Sequence, residues 1–462
     1  MKKIISLITC CLCLGACGFS ARNKANKFTA DFSVGKYTSA CEDVANKELC
    51  TTAITSEQTN DIAKMPLDQS LNAATAMFVD QKFENSNKIF ETKSKEIIKQ
   101  QQQSIATSVG KSAVEILGNA SLLGYSSYIM DGIYLSNYQI LNLLALQDYQ
   151  GLRIEINRAY QKQQMAAELL EQQIKKQQKE NQEDSQAQEN TQRVLGEYAD
   201  LAKWKGYEDF LNPYTTYLSG LVYLTRATSS SDYETASTYL KRVLGMVQGN
   251  SVVKEDLKSA EDAANGQLLP HDATWIIFEN GLVANLKEFR IDLPIFLVSK
   301  DVQTASLALP RPQEREAAHA FLSINNGNET VNTELLADVD SMFISEFNKR
   351  FPGIVTKAII KLTAQTIAQA AAKKNLGTWG SIGAAVYSVA TTSADLRSWY
   401  SLPKNVQLAK IRKSGKAQEI ELLTNQGQLL GKISIPGTGN HIIYVRIPTA
   451  EATPDIALFQ LN

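Results

Sequence analysis

The chain has 462 residues, of which 44% are hydrophobic and 21% are charged, and both fractions are close to those of average globular proteins. Its 47 Lys and Arg nearly balance its 48 Asp and Glu, which excludes a strongly basic nucleic-acid binder and a wholly disordered acidic chain. The three histidines leave little material for a His-rich metal site. The length is sufficient for about three domains of ordinary size.

The first residues have the pattern of an export signal. Two lysines precede an apolar run from Ile4 to Ala16, which is shorter than the ~20 residues that span a bilayer and is typical of a signal peptide. The run ends in Leu14-Gly15-Ala16-Cys17, which resembles a bacterial lipobox. We therefore predict that residues 1–16 are a lipoprotein signal peptide and that Cys17 is acylated. An ordinary secretory signal, in which Cys17 is incidental, is the alternative.

Lipidation of Cys17 would set the location of the protein. Gly18 follows it, rather than the Asp that resembles an inner-membrane retention signal, so we expect an outer-membrane anchor that faces the periplasm. Several acyl chains, at ~0.8 kcal/mol per buried CH₂, make such an anchor stable. Residues 17–36 carry Ser, Asn, Lys and Gly and are predicted to be a tether. Removal of residues 1–16 takes away two lysines and leaves 45 basic and 48 acidic residues, a net charge of −3.

Four of the six cysteines lie within the first 17 residues, which leaves Cys41 and Cys50 besides the lipidated residue. In an oxidising compartment these two are expected to form a disulfide, worth roughly 2–3 kcal/mol for so short a loop. Ser39-Ala40-Cys41-Glu42, however, resembles a capping box that begins a helix. A continuous helix would separate the two cysteines by about 13.5 Å, whereas a disulfide needs roughly 5.5 Å between Cα atoms. The bridge therefore requires that the helix end early.

Helical patterns dominate residues 37–265, and a weak internal repeat is visible within them. Phe83, Tyr149 and Tyr233 each lie near a predicted turn, and the positions three, seven and ten residues later can be aligned. This spacing places four side chains on one helical face and resembles the second helix of a tetratricopeptide repeat. Gly220 has the place of the small residue in the first helix. We predict tetratricopeptide-like helical hairpins over residues 37–265, with a generic helical bundle as the alternative.

Residues 161–193 are a polar insertion, with eleven glutamines among 33 residues. Their Gln, Glu and Lys content favours a helix. We predict a projecting helical arm with a solvated tip. A coiled-coil contact is the alternative, but Met165, Leu169 and Ile174 do not sustain heptads.

The pattern changes near residue 270, and the predicted fold class is therefore α+β. Within 266–352, two strand-like runs flank the turn dipeptide Asn280-Gly281 and predict a β-hairpin at 274–298, followed by a loop at 299–334 and a helix at 334–350. Residues 401–462 alternate in the manner of strands. They predict a small antiparallel β domain, which the hairpin would complete.

Residues 353–400 are predicted to form an Ala-rich helical hairpin that opens at Pro352-Gly353. Alanines spaced by four allow helices to approach closely, in water or in a bilayer. A tightly packed soluble hairpin is favoured, because lysines occur along the first helix and glycines interrupt the second. If 353–394 instead enters a bilayer, the chain would be a pore or translocation component.

Catalytic constellations are hard to find in this sequence. There is no Gly-rich phosphate loop, no GxSxG elbow and no HExxH pair. His271, His319 and His441 lie in unrelated contexts, and Glu279 lacks an identifiable partner carboxylate.

One cluster near the C-terminal half combines charge and an aromatic ring. Asp395, Arg397 and Trp399 lie within five residues of one another. Arg397 could bridge Asp395 internally while Trp399 packs under the sheet. Alternatively, the three residues could contact a ligand or a partner.

Several stretches together resemble a family of uncharacterised bacterial envelope lipoproteins with degenerate tetratricopeptide repeats. They are Asn212–Gly220 with Asp232–Ala236, Ile277–Leu282 with Lys287–Ile291, Phe351–Ile354, and Ala394–Trp399. The resemblance implies a periplasm-facing lipoprotein, often encoded beside small lipoproteins similar to the curli-secretion pore protein or to activators of peptidoglycan synthases. It brings no catalytic residue with it.

The leading hypothesis is a non-enzymatic scaffold that binds other envelope lipoproteins or assembly-machine proteins, without cofactor, metal or nucleic acid. Stacked helices would offer a concave surface to a protein or peptide, and the C-terminal sheet would add a second docking face. The membrane-active component is the second hypothesis. An envelope hydrolase is the third, with Glu279 and Asp395 as its first candidate carboxylates.

Overall fold

The computed structural model describes residues 22–106, 125–180, 185–207, 211–267, 272–296, 302–360, 362 and 393–462. The predicted signal peptide, Cys17 and most of the Ala-rich segment 353–394 lie outside these residues. The described chain is a mixture of helices and sheets, which confirms the α+β class.

The helices, in chain order, are α1 at 22–33, α2 Tyr37–Val44, α3 Lys47–Thr51, α4 Gln58–Lys64, α5 Leu67–Val79, α6 Phe83–Ala106, α7 Ile129–Ala145, α8 Tyr149–Glu180, α9 Ser185–Gly196, α10 Pro213–Thr225, α11 Ser230–Met246, α12 Ser251–Ala264 and α13 at 339–360. The strands are β1 Ala273–Asn280, β2 Asn285–Phe296, β3 Val302–Gln313, β4 Leu322–Asn325, β5 Thr330–Asn332, β6 Glu334–Asp338, β7 Asn405–Arg412, β8 Gln418–Thr424, β9 Leu429–Ile435, β10 His441–Ile447 and β11 Asp455–Gln460.

The predicted tether at 17–36 is wrong from residue 22 onward, because α1 packs into the protein core. Phe28 and Phe32 are 0% and 1% exposed, and their rings stack with centroids 5.3 Å apart. Phe28 also meets the ring of Tyr400 edge-on at 5.2 Å. Residues four apart share one face of a helix, so this pair alone gives the polar segment an apolar side.

The Cys41–Cys50 disulfide is confirmed, with a Cα–Cα distance of 5.9 Å. The bridge is possible because α2 ends at Val44 and the chain turns back, with the Asn46 side chain capping α3. The predicted helix start at Ser39 is wrong, since α2 begins two residues earlier. Both cysteines are buried in the core of the helical body.

Replacing both cysteines by serine should lower the free energy of unfolding by about 2–3 kcal/mol, because the nine-residue separation closes a short loop in the unfolded chain. Urea unfolding followed by fluorescence would measure the change. Dithiothreitol should destabilise the wild-type chain by a similar amount and leave the double variant unaffected. An equal effect of the reductant on both chains would contradict the assignment.

In two helical hairpins, α5–α6 and α7–α8, the turn between the helices has the same geometry. Gln81 after α5 and Gln147 after α7 both have a left-handed backbone, with φ of 58° and 57°. In each turn the following residue donates its N–H to a carbonyl five residues back, Lys82 to Met77 at 2.8 Å and Asp148 to Leu143 at 2.9 Å. These turns have the hydrogen bonds of a Schellman motif.

Gln81 lies two residues before Phe83, and Gln147 lies two residues before Tyr149. The turns therefore coincide with the positions that the sequence repeat aligned. In a third pair, α10 and α11, a Cβ added at Gly220 would lie 3.1 Å from Leu240, so the small residue does admit the neighbouring helix. The helical hairpins are therefore present. Their assignment to tetratricopeptide repeats stays a prediction.

The polar insertion is helical, but its base belongs to the body rather than to a projecting arm. Ala166 and Leu170 on α8 are 0% and 2% exposed and pack with Ile129 and Ile133 of α7. Thr191 on α9 is also buried, beside Thr356. The arm predicted from residue 161 can therefore begin only beyond Leu170.

The strands form a five-stranded sheet in the order β11-β10-β1-β7-β6, a four-stranded sheet β5-β4-β8-β9 and the hairpin β2-β3. β1 lies parallel to β10 and antiparallel to β7. The predicted hairpin across Asn280-Gly281 is therefore wrong, because β2 pairs with β3 instead. The predicted loop at 299–334 is also wrong, since it contains β3, β4 and β5.

The helical body, the five-stranded sheet and the four-stranded sheet form three layers. One face of the middle sheet, with Trp275 and Tyr444, packs on the helices. The other face, with Ile276 and Val445, packs on the four-stranded sheet. Every residue of β1 and β10 is buried, which explains why their sequences are apolar runs without strict alternation.

The region 334–360 differs from the prediction at both ends. Glu334–Asp338 is strand β6, and α13 runs from 339 to 360 through Pro352 without a break at Pro352-Gly353. Phe347, Phe351, Val355 and Ile359 are 0–2% exposed at intervals of four. Burial of this apolar stripe outweighs the loss of one helical hydrogen bond at proline.

Candidate functional site

The predicted cluster Asp395, Arg397 and Trp399 is divided between the surface and the core. Arg397 donates two hydrogen bonds to Asp395, at 2.8 and 2.7 Å, so the internal bridge is formed. Trp399 is 2% exposed and donates from Nε1 to Thr75 Oγ1 at 2.9 Å. The prediction of a partner contact at Trp399 is wrong, because its ring lies among the helices beside Phe90 at 5.7 Å.

Glu279 lies at the junction of the helices and the middle sheet. Its side chain is fully buried, and its Oε2 accepts hydrogen bonds from Tyr138 of α7 at 2.9 Å and Tyr444 of β10 at 2.8 Å. Burial raises the pKa of Glu279, while Arg446 and the tyrosine hydroxyls act in the opposite direction. The Nε of Arg446 is 3.8 Å from the same carboxylate oxygen.

Arg446 hydrogen-bonds to two separate backbone segments, one at the end of β1 and one before β7. Its guanidinium donates to the carbonyl oxygens of Glu279 at 3.0 Å, Gly281 at 2.6 Å and Ser401 at 3.1 Å. The side chain is 0% exposed and also lies over the Phe32 ring at 5.6 Å. Because neither Glu279 nor Arg446 reaches the surface, we interpret the pair as a structural link between these segments.

Glu279 was predicted as a candidate residue from the sequence, whereas Arg446 was not. Each is the only charged residue in an otherwise apolar strand, and the sheet register places them opposite each other. Two lone charges of opposite sign in apolar strands are therefore the signal that could have joined them. A parallel register between strands so distant in the chain cannot be read from either strand alone.

A second buried network surrounds Asp256 on α12. The carboxylate is 0% exposed and accepts from Tyr217 at 2.6 Å and from Trp275 at 2.9 Å. Lys410 of β7 donates to its other oxygen at 2.7 Å. Like the Glu279 network, this one joins a helix, β1 and a neighbouring strand inside the protein.

These networks show what fills the inner face of the helical hairpins. Tyr138 and Tyr217, on α7 and α10, hydrogen-bond to groups in or beside the middle sheet, and Phe78 on α5 meets Tyr444 at 5.1 Å. Along α5, α7 and α10 the expected concave surface is therefore not free for a peptide. The chain's own sheet occupies the face of the helices that would line such a groove.

Two buried carboxylates meet at the N-terminus of α7. Glu346 of α13 accepts from the N–H groups of Ile129 and Met130 at 2.7 and 3.0 Å. Asp131 accepts from the Tyr128 N–H at 2.7 Å and from the Tyr125 hydroxyl at 2.7 Å. Burial raises the pKa of Asp131 to about 7, despite these hydrogen bonds.

Acidification from pH 8 to pH 6 should therefore stabilise the protein through Asp131. The folded-state pKa lies above that of the unfolded chain, so folding favours proton uptake, and stability is lost as the pH rises toward 7. We expect Asp131→Asn to remove about 1 kcal/mol of this pH dependence. Urea unfolding at both pH values would measure it, and an unchanged slope in the variant would contradict the assignment.

Other kinds of site have no support among the described residues. No group of His, Cys, Asp and Glu within them is placed to hold a metal ion. His319 and His441 lie apart, and burial lowers the pKa of each; His271 lies outside the described ranges. None of the helices described is both long and apolar enough to cross a membrane.

The two candidate carboxylates of the hydrolase hypothesis both have internal partners. Glu279 is sealed inside the protein, and Asp395 is bonded to Arg397. Comparison with family models, curated proteins and solved structures found no match to this chain.

Proposed function

We propose that the chain is an outer-membrane lipoprotein, anchored through Cys17 and facing the periplasm, that serves as a non-enzymatic scaffold for other envelope proteins in assembly or secretion. The lipobox at Leu14–Cys17 supports the anchor. The main support for the scaffold role is that Glu279, Arg446 and Asp256 form internal hydrogen-bond networks, which join the layers of the protein. The helices and sheets joined in this way form a frame, which holds the outer surfaces of the protein in fixed positions.

Because the sheet packs against α5, α7 and α10, we place the partner surface elsewhere on the frame. We assign the four-stranded sheet as the partner surface. β9 is one of its two outer strands among those described, the other being β5, and Leu429 on β9 is 48% exposed. An outermost strand presents backbone groups to which a partner's extended segment can add. Lys432, which pairs with Glu419 and Glu421 at 2.9 Å, gives that strand a charged centre.

A photocrosslinking residue at Leu429 tests this assignment in the native envelope. Ile154 on α8 is a matched control, because it is also apolar and is 53% exposed. We expect a protein of the envelope to be captured from Leu429 and not from Ile154. Equal capture at both positions, or no protein at either, would argue against the surface.

The anchor is tested separately by labelling with palmitate. The wild-type chain should incorporate the label and fractionate with the outer membrane, whereas Cys17→Ser should do neither. If Cys17→Ser still carries the label, the lipidation site lies elsewhere and the proposed anchor is wrong.

A further inference from the structure

We propose that the basic end of α1 lies against an anionic lipid surface, so that the protein body rests on the leaflet that holds its anchor. The proposal rests on the proposed lipidation of Cys17. It adds a second, electrostatic contact between protein and membrane, and it fixes which side of the frame faces the lipid.

A short stretch of chain separates the proposed anchor from the folded body. Five residues lead from Cys17 to Arg22, where the described part of α1 begins. A fully extended chain covers at most ~3.6 Å per residue, so Arg22 lies within about 18 Å of the anchored residue. The 20-residue tether expected from composition would have allowed the body to lie several times farther from the anchor.

Packing and hydrogen bonds fix α1 to the body. Phe28 and Phe32 are buried, as described above, and Thr449 Oγ1 donates to the Ser33 carbonyl oxygen at 2.7 Å. Gly35, at the end of this segment, is packed against the backbone of Thr453, so close that an added Cβ would lie 3.2 Å from its oxygen. The orientation of α1 relative to the membrane therefore determines the orientation of the whole frame.

The end of α1 beside the anchor carries a local positive charge. Arg22, Lys24 and Lys27 are exposed, and no acidic residue occurs between Cys17 and Asp31. At 1.5 Å per residue, Asp31 lies roughly 13 Å along the helix from Arg22, which is more than the ~8 Å screening length at physiological salt. The end of the helix beside the anchor is thus locally positive, although the predicted mature chain is net negative.

Arg22 and Lys24 carry most of this attraction. Lys27 is closer to acidic groups, since Asp43 on α2 interacts with both Lys27 and Asp31. A basic side chain near an anionic membrane surface contributes roughly a fivefold gain in binding. Removing two of them should therefore weaken binding by about 30-fold.

The first experiment uses the mature chain with Cys17→Ser, so that acylation plays no part. Sedimentation with phosphatidylcholine vesicles, with or without phosphatidylglycerol, measures binding. We expect binding only to the vesicles that contain phosphatidylglycerol, weakening as salt is raised. Arg22→Glu with Lys24→Glu should reduce it by 30-fold or more. Equal binding to both kinds of vesicle would overturn the proposal.

Lys254→Glu with Lys258→Glu is the matched control, because both lysines are exposed on α12. This variant should bind as the parent does, and a loss equal to that of the α1 variant would also overturn the proposal. Circular dichroism checks that each variant is folded. Palmitate labelling of the wild-type chain reports the anchor independently, so failure of the anchor and failure of the contact are distinguishable.

The second experiment measures orientation in the lipidated protein. A fluorophore on Asn23→Cys should be quenched by vesicles with a quencher at the headgroup, and one on Thr238→Cys of α11 should not; both positions are exposed. Equal quenching at the two positions would show that the body does not rest on its α1 side.

Discussion

Replacing Arg446 by methionine is expected to lower the free energy of unfolding by about 3–5 kcal/mol, because it leaves the Glu279 carboxylate buried without its cation. Three backbone carbonyls would also lose their donor. The loss should shrink at acid pH, since the pKa of Glu279 is already raised by burial and a protonated carboxyl needs no counter-charge. Urea unfolding at pH 7 and pH 5 would measure both effects.

Arg412→Met is the matched control for this variant. Arg412 lies on β7 in the same sheet, but its side chain is 64% exposed and its partner Glu255 is also at the surface. Exposed ion pairs contribute little, so the change should stay within about 0.5 kcal/mol. Glu279→Leu combined with Arg446→Met should be less destabilising than Arg446→Met alone. If it is more destabilising, the buried charge is not the cause.

Replacing Phe32 by alanine should lower the free energy of unfolding by about 3–5 kcal/mol, the range for truncating a fully buried phenylalanine. The ring meets Phe28 at 5.3 Å and Tyr37 at 5.1 Å, so its removal leaves a cavity between α1 and the rest of the body. A flexible tether would tolerate the same substitution without cost. Chemical unfolding of the mature chain would separate these two outcomes.

Val34→Ala serves as the comparison for Phe32→Ala, because Val34 is in the same segment and is 43% exposed. It should change the stability by no more than about 0.5 kcal/mol. If both variants have the stability of the wild-type chain, α1 is not part of the folded core, and the proposed contact with lipid loses its rigid support.

Local signals in the sequence predicted local structure well. The two cysteines left after the predicted signal peptide gave the disulfide, and the alternation over residues 401–462 gave strands where β7 to β11 are found. The helical spacing after Phe83 and Tyr149 gave the hairpins with α6 and α8. Each of these features depends on residues within about one turn or one strand of each other.

What the sequence did not predict depends on distant contacts. Asn280-Gly281 has the composition of a hairpin turn, yet β1 is paired on both sides by strands more than 120 residues away. Phe28 and Phe32 looked like isolated aromatics in a polar segment until Tyr400 and Arg446 were placed beside them. Arg446 itself had no visible partner for the same reason. Burial and register are properties of the assembled layers.

The parallel pairing of β1 with β10 also has a consequence for the order of folding. β1 can be fully paired only after His441–Ile447 has been made, and β11 must then cover β10. Closing so long a loop costs entropy before any contact repays it, and such topologies fold slowly. Under the proposed export, the central sheet stays unassembled during synthesis, while the chain has still to be threaded through a membrane. Pairing of β10 and β11 completes the core.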